Sequence, residues 1–157
     1  MDYTYWHLAL NHLPTITPII GLLILIGAWV GRNETAKQIG YLVLLFGAIS
    51  AFPSSFTGEQ SEKIVEHLPD FDSQRIHAHE EAAETFVVMC YILGAAALLC
   101  WWASWKKKAF ANMLGIALLL YLLVVLFFAR RTGTSGGEIR HPEIRTDNSI
   151  SPDRDED

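Results

Sequence analysis

Four long apolar runs dominate the chain, and most of its charge falls in the gaps between them. The runs cover about residues 13–31, 36–54, 80–103 and 109–129. Each is close to twenty residues. A helix rises ~1.5 Å per residue, so such a run crosses a hydrocarbon core of ~30 Å. Pro53 is expected to kink the second helix, which can continue through "FTGEQSEKIVEHL". The linker "PDFDSQR" then leads to the third run. The pattern predicts an all-α, integral-membrane four-helix bundle. A short extramembrane segment lies between helices two and three, and an extended tail follows helix four. The expected division is a transmembrane domain over 1–131 and a polar, acidic tail over 132–157.

Small residues sharpen this picture. Gly40, Gly47, Ala51, Ser54 and Gly58 recur at spacings of three, four and seven, which marks one face of the second helix for close packing. Gly27 and Gly31 form a similar small-xxx-small pair on the first helix. Cys90 and Cys100 lie in one apolar run, ten residues apart. That separates them by ~15 Å along a helix, so they read as small buried hydrophobes.

Charge orients the bundle. The net charge is -5, much of it from loops and from the closing "SPDRDED". Four spans put both termini on one side. The short connections "RNETAK" and "WKKK" carry Arg32, Lys37, Lys106, Lys107 and Lys108 to the other. The positive-inside bias makes those connections cytoplasmic. Trp101, Trp102 and Trp105 beside them fit an interfacial aromatic belt. Both termini and the 54–79 connection are then expected in the periplasm of a bacterial inner membrane. The opening residues lack a basic n-region and a cleavage site, so the first membrane helix is expected to direct insertion. No basic stripe with interleaved aromatics points to nucleic acid; the expected surroundings are a lipid bilayer and respiratory or redox membrane proteins.

The chemistry collects on one side. All six histidines (His7, His12, His67, His77, His79 and His141) fall on the periplasmic side of this topology. His12 and His79 stand within about a turn of the start of an apolar run, and antiparallel threading brings them to one depth. In "HAHEEAAETF", ~100° per residue places His79 on a stripe with Ala83, Phe86, Cys90 and Ala97. That stripe should face the bundle interior, with His77, Glu80 and Glu84 on its flank. Acidic residues in a first helical turn also favour the macrodipole without any ligand.

Two facing imidazoles can ligate a b-type haem. With carboxylates they can instead hold Cu, Zn, Fe or Mn. The expected ligands are His12 and His79, with Glu59, Glu84 and His141 as further metal ligands; Glu59 follows the kinked end of helix two. All the histidines sit at one level, which disfavours a stack of haems across the bilayer. No P-loop, GxSxG or HExxH motif is present.

"NHLPTITPIIG", "FTGEQ", His79 and "TGTSGGEIRHPE" together resemble the DUF2231 family of small four-helix bacterial membrane proteins. The resemblance spans about residues 6 to 142. It implies a four-helix membrane domain with a cytochrome-like layout and with His12, Pro14, Thr57, Gly58, His79, Gly136, Gly137 and His141 on one face. The chain departs from the family in a longer acidic linker (59–75) and a charged tail.

Gly136 and Gly137 suggest a hinge that would fold "EIRHPE" back over the bundle mouth. The functional expectation is a membrane protein that binds haem b or a single transition-metal ion near its outer face, for electron transfer or redox sensing. It would act alone or as a small subunit of a respiratory complex. The competing expectation is a cofactor-free structural or interaction subunit. A stand-alone enzyme is not expected.

Overall fold

A computed structural model describes residues 2–66, 68, 72–141, 144 and 145. The elements are α1 (Tyr3–Leu10), α2 (His12–Val30), α3 (Glu34–Val65), α4 (Ser73–Trp105) and α5 (Ala111–Arg140). No strand occurs among the described residues. α1 and α2 together form one span, so four helical segments are long and apolar enough to cross a membrane.

The break between α1 and α2 has a local cause. Pro14 has no N–H to offer the carbonyl one turn earlier, at Leu10, and its ring crowds that carbonyl. Thr15 takes up part of the slack, donating from Oγ1 to the His12 carbonyl at 2.9 Å. α3 starts where Asn33 caps the Ala36 N–H at 3.0 Å, and α4 where Asp72 caps the Gln74 N–H at 3.0 Å. At the opposite end α2 and α4 close alike. Arg32 and Lys107 each take a left-handed conformation at φ 50°, and the next residue donates five positions back. Those bonds, Asn33 to Ala28 and Lys108 to Ala103, are both 2.9 Å.

Helices α2, α3, α4 and α5 pack in ring order, with α5 closing against α2 and α1 leaning onto α3. The core holds Leu25, Tyr41, Leu44, Phe86, Leu93, Leu122 and Val125, with Cys90 and Cys100 buried among them. The small face of α3 packs as its spacing predicts. Gly40, Gly47, Ala51 and Ser54 are buried, and Thr17 of α2 seats on Gly47. Gly94 of α4 lies against Ala48. Large apolar side chains such as Leu23, Phe46, Phe52, Leu120 and Phe127 face outward, as a lipid-facing surface requires.

Two expectations fail. Gly27 meets nothing within 4 Å, so the Gly27/Gly31 pair makes no helix contact; Gly21, seated on Leu44, does that work on α2. The second concerns helix four. α5 runs past 131 to Arg140, and Gly136 and Gly137 are helical rather than a hinge. Packing outweighs glycine's weak helix propensity here. Thr132 is buried and donates to the Ala82 carbonyl of α4 at 3.0 Å. Arg75 of α4 pairs with Glu138 at 3.2 Å. The chain turns only after Arg140, where the Arg145 guanidinium donates to the Glu138 carbonyl at 2.9 Å. The rest of the acidic tail, from 146 on, lies outside the described residues.

Candidate metal centre

Beside the start of α1 and the end of α5, residues of α1, α3, α4 and α5 line a chamber of about 470 Å³. That size suits a small ligand or an ion with its water, within the ~300–1,000 Å³ typical of ligand sites. His7, Asn11, His79 and the carboxylates of Glu59, Glu62, Glu80 and Glu84 contribute to its lining.

The two imidazoles enter from different helix pairs. His7, on α1, lies across α3: its Nδ1 is 3.1 Å from the Ser54 carbonyl oxygen. A carbonyl can only accept, so Nδ1 carries the proton, and in the neutral ring Nε2 keeps a bare lone pair. His79, on α4, lies across α5 with Nδ1 3.1 Å from Ser135 Oγ. That hydroxyl spends its own proton on the Thr132 carbonyl at 3.0 Å. With its proton there the hydroxyl accepts from His79, an arrangement that puts this proton on Nδ1 as well. Both rings are half-buried, and both have Nε2 left for a ligand. Metal-binding histidines are oriented in this way, through a hydrogen bond from the ring nitrogen that does not ligate.

Asn11 adds to the fit. It follows His7 by one helical turn and shares its face. Its Oδ1 is shielded from solvent and has no hydrogen-bond partner. This orphaned acceptor, the two imidazoles and several carboxylates line one chamber and are of the donor types a divalent transition ion takes, but among the described residues only Glu62, His77 and Glu80 already bring ligand atoms within 4.8 Å of one another.

The placement of the expected ligands is mixed. His79 faces inward, on a stripe with the buried Phe86, Cys90 and Ala97. Glu59 and Glu84 line the chamber, and Ser55 Oγ donates to Glu59 at 3.4 Å. His12 is exposed and outside the chamber lining. It follows His7 by five residues, which is about 140° around a helix, so the two cannot share a face. It is His7, not His12, that shares the chamber lining with His79. His141 is exposed at the end of α5 and also outside the lining. His67 lies outside the described residues.

His7 was missed because "YTYWHL" reads as an interfacial aromatic segment. The available signal was the i, i+4 spacing of His7 and Asn11, two polar residues on one face of an otherwise apolar turn.

A second group sits at the rim. Ligand atoms of Glu62, His77 and Glu80 lie within 4.8 Å of one another. His77 Nδ1 is 3.5 Å from Glu80 and 3.7 Å from Glu62, and its Nε2 is 3.8 Å from Glu66. This group forms because the short connection after α3 sets the end of α3 beside the start of α4. The His77 side chain is 57% exposed and that of Glu62 17%, so water competes chiefly at His77.

Compared with known proteins, the chain matches no family model, no curated protein and no solved structure.

Proposed function

We propose that this protein is a metal-binding membrane protein that holds one divalent transition-metal ion in the chamber beside the start of α1 and the end of α5. His7 and His79 ligate through Nε2, and chamber carboxylates such as Glu59 and Glu84 complete the set. One observation carries the reading: both imidazoles have Nδ1 committed to an acceptor and line one chamber with Nε2 free. The set has nitrogen and oxygen donors and no thiolate, which suits iron, manganese, copper or zinc. With iron or copper the site serves electron transfer or redox sensing at a membrane surface. Of the residues behind the DUF2231 resemblance, Gly58, His79 and Gly136 line the chamber, whereas His12 and His141 stand outside it. By the positive-inside argument, that end faces the periplasm.

A b-type haem also takes two imidazoles, and the two rings come from different helix pairs. The carboxylate lining favours an ion over a largely apolar porphyrin.

The test uses the whole protein, purified in detergent without chelator. Elemental mass spectrometry should find about one transition ion per chain. His7→Ala and His79→Ala should each lower the affinity for added Co(II) or Cu(II) by at least ~100-fold, as loss of a ligand does. A Soret band would move the assignment to haem. Neither a stoichiometric ion nor a Soret band would overturn the reading and leave the four-helix scaffold.

A further inference from the structure

The two imidazoles rest on the same short sequence pattern, which occurs twice in the chain: hydroxyl, two residues, hydroxyl, glycine. The copies are "SSFTG" at 54–58 on α3 and "TGTSG" at 132–136 on α5. They lie on different helices, and each receives a histidine from a neighbouring helix.

The layouts are parallel, and the ring meets the carbonyl of the first position in one copy and the hydroxyl of the fourth in the other. In the first copy the Ser54 carbonyl accepts from His7 Nδ1 at 3.1 Å, and Thr57 Oγ1 reaches the Pro53 carbonyl at 2.7 Å and the Ser54 carbonyl at 3.1 Å. In the second, the Thr132 carbonyl accepts from Ser135 Oγ at 3.0 Å, and His79 Nδ1 joins through that hydroxyl at 3.1 Å. The glycine closes the motif one turn after that carbonyl. A Cβ on Gly58 would stand 3.0 Å from His7 Cε1 and 3.1 Å from its Nδ1. A Cβ on Gly136 would stand 3.0 Å from His79 Cε1 and 3.3 Å from its Nδ1. A helical carbonyl is normally screened by the side chain one turn later. Glycine removes that screen, so His7 reaches the Ser54 carbonyl and His79 the Ser135 hydroxyl that bonds the Thr132 carbonyl.

We infer that residues 54–58 and 132–136 are two copies of one imidazole-docking device, with Thr57, Gly58, Ser135 and Gly136 as positioning residues that hold His7 and His79 with Nδ1–H donated inward and Nε2 presented to the chamber. This deepens the metal-site reading and rests on it for its purpose. The docking can be tested separately.

Gly133 supplies the control. It lies three residues from Gly136 on the same helix, with nothing within 4 Å of an added Cβ. Gly133→Ala should raise the melting temperature, because alanine is the better helix former. Gly136→Ala should give no such gain in the wild-type background and should give it once His79→Ala has removed the ring. The corresponding cycle applies to Gly58 and His7. Histidine ¹⁵N spectra should show two rings protonated at Nδ1 in the wild type, with one reverting to the mixed tautomers of a free imidazole in Gly58→Ala or Gly136→Ala. Affinity for Co(II) should fall about 10–100-fold in those two variants, the usual effect of losing an outer-shell contact, and stay level in Gly133→Ala.

Equal stability gains from Gly136→Ala with and without His79, together with unchanged tautomers, would overturn the docking device. Retained docking with Co(II) affinity unchanged in Gly58→Ala and Gly136→Ala would overturn its role in positioning. If the wild type takes no ion, the metal-site reading fails, and the stability cycles and tautomers still decide the docking.

Discussion

The two ends of the bundle are both polar, and they handle polarity in opposite ways. At the lysine end the charged groups are mostly paired within the chain, though the buried Trp29 Nε1 has no hydrogen-bond partner. Lys37 is 6% exposed, pairs with Glu34 and lies 4.5 Å from the Trp29 ring centroid. Lys106 covers Trp105 at 4.2 Å, Lys108 covers Trp102 at 5.5 Å, and Trp101 stacks on Trp105. The ammonium groups spend their charge on ring faces and one carboxylate, an arrangement that anchors a helix end at a membrane surface. At the histidine end each imidazole uses one nitrogen for docking and keeps the other. A chamber opens there. The lesson is that polar residues alone do not mark a site; the donor capacity left after internal bonding does.

Three substitutions press on that contrast, beyond the tests already given. The largest effect belongs to the lysine end. Glu34→Ala leaves a buried ammonium with only a ring face. Breaking a fully buried pair costs ~3–5 kcal/mol. The Glu34 side chain is 63% exposed, so water softens the loss to about 1–2 kcal/mol. Thermal unfolding should show that drop, while metal content stays as in the wild type. A change in metal content would join the two ends and break the comparison.

Lys107→Gly should act in the other direction. Lys107 holds a left-handed backbone at φ 50°, where a side chain costs ~1 kcal/mol relative to glycine. The expected gain is about 0.5–1 kcal/mol in the same unfolding measurement. A loss would mean that the charge of Lys107 matters more than its backbone.

The smallest effect is expected at the rim. His77→Ala removes the centre of the Glu62–His77–Glu80 group. If the inner imidazoles hold the ion, the stoichiometry should remain near one per chain and the Co(II) affinity should shift by less than about 3-fold, because an exposed imidazole works against hydration. Loss of the bound ion in this variant, with His7→Ala silent, would move the site to the rim.

Most of the architecture was legible in the apolar runs. Residues 36–54 and 109–129 lie almost wholly within α3 and α5, because a bilayer leaves a backbone few options besides continuous helix. The continuation of α3 through "FTGEQ" was legible too. The far end of α5 was not. Its glycines and charges suggest a tail, and only the bond from Thr132 to Ala82 and the pair between Arg75 and Glu138 carry the helix to Arg140. The candidate site divides the same way. His79 was readable because periodicity ties it to Phe86, Cys90 and Ala97. Its partner was not, because a bend set by Pro14 directs α1 toward α3.

By itself the sequence determined four membrane-length helices, the small-residue face of α3 and the end of the bundle where the histidines gather. These follow from local rules: the length of an apolar run, the period of a helix and the need to satisfy every backbone group. Which imidazoles share a chamber, and which nitrogen each presents, was decided only by the tertiary structure. Those choices depend on how far one helix leans and on whether a glycine one turn away leaves a carbonyl open, and contacts of that kind join residues some fifty positions apart.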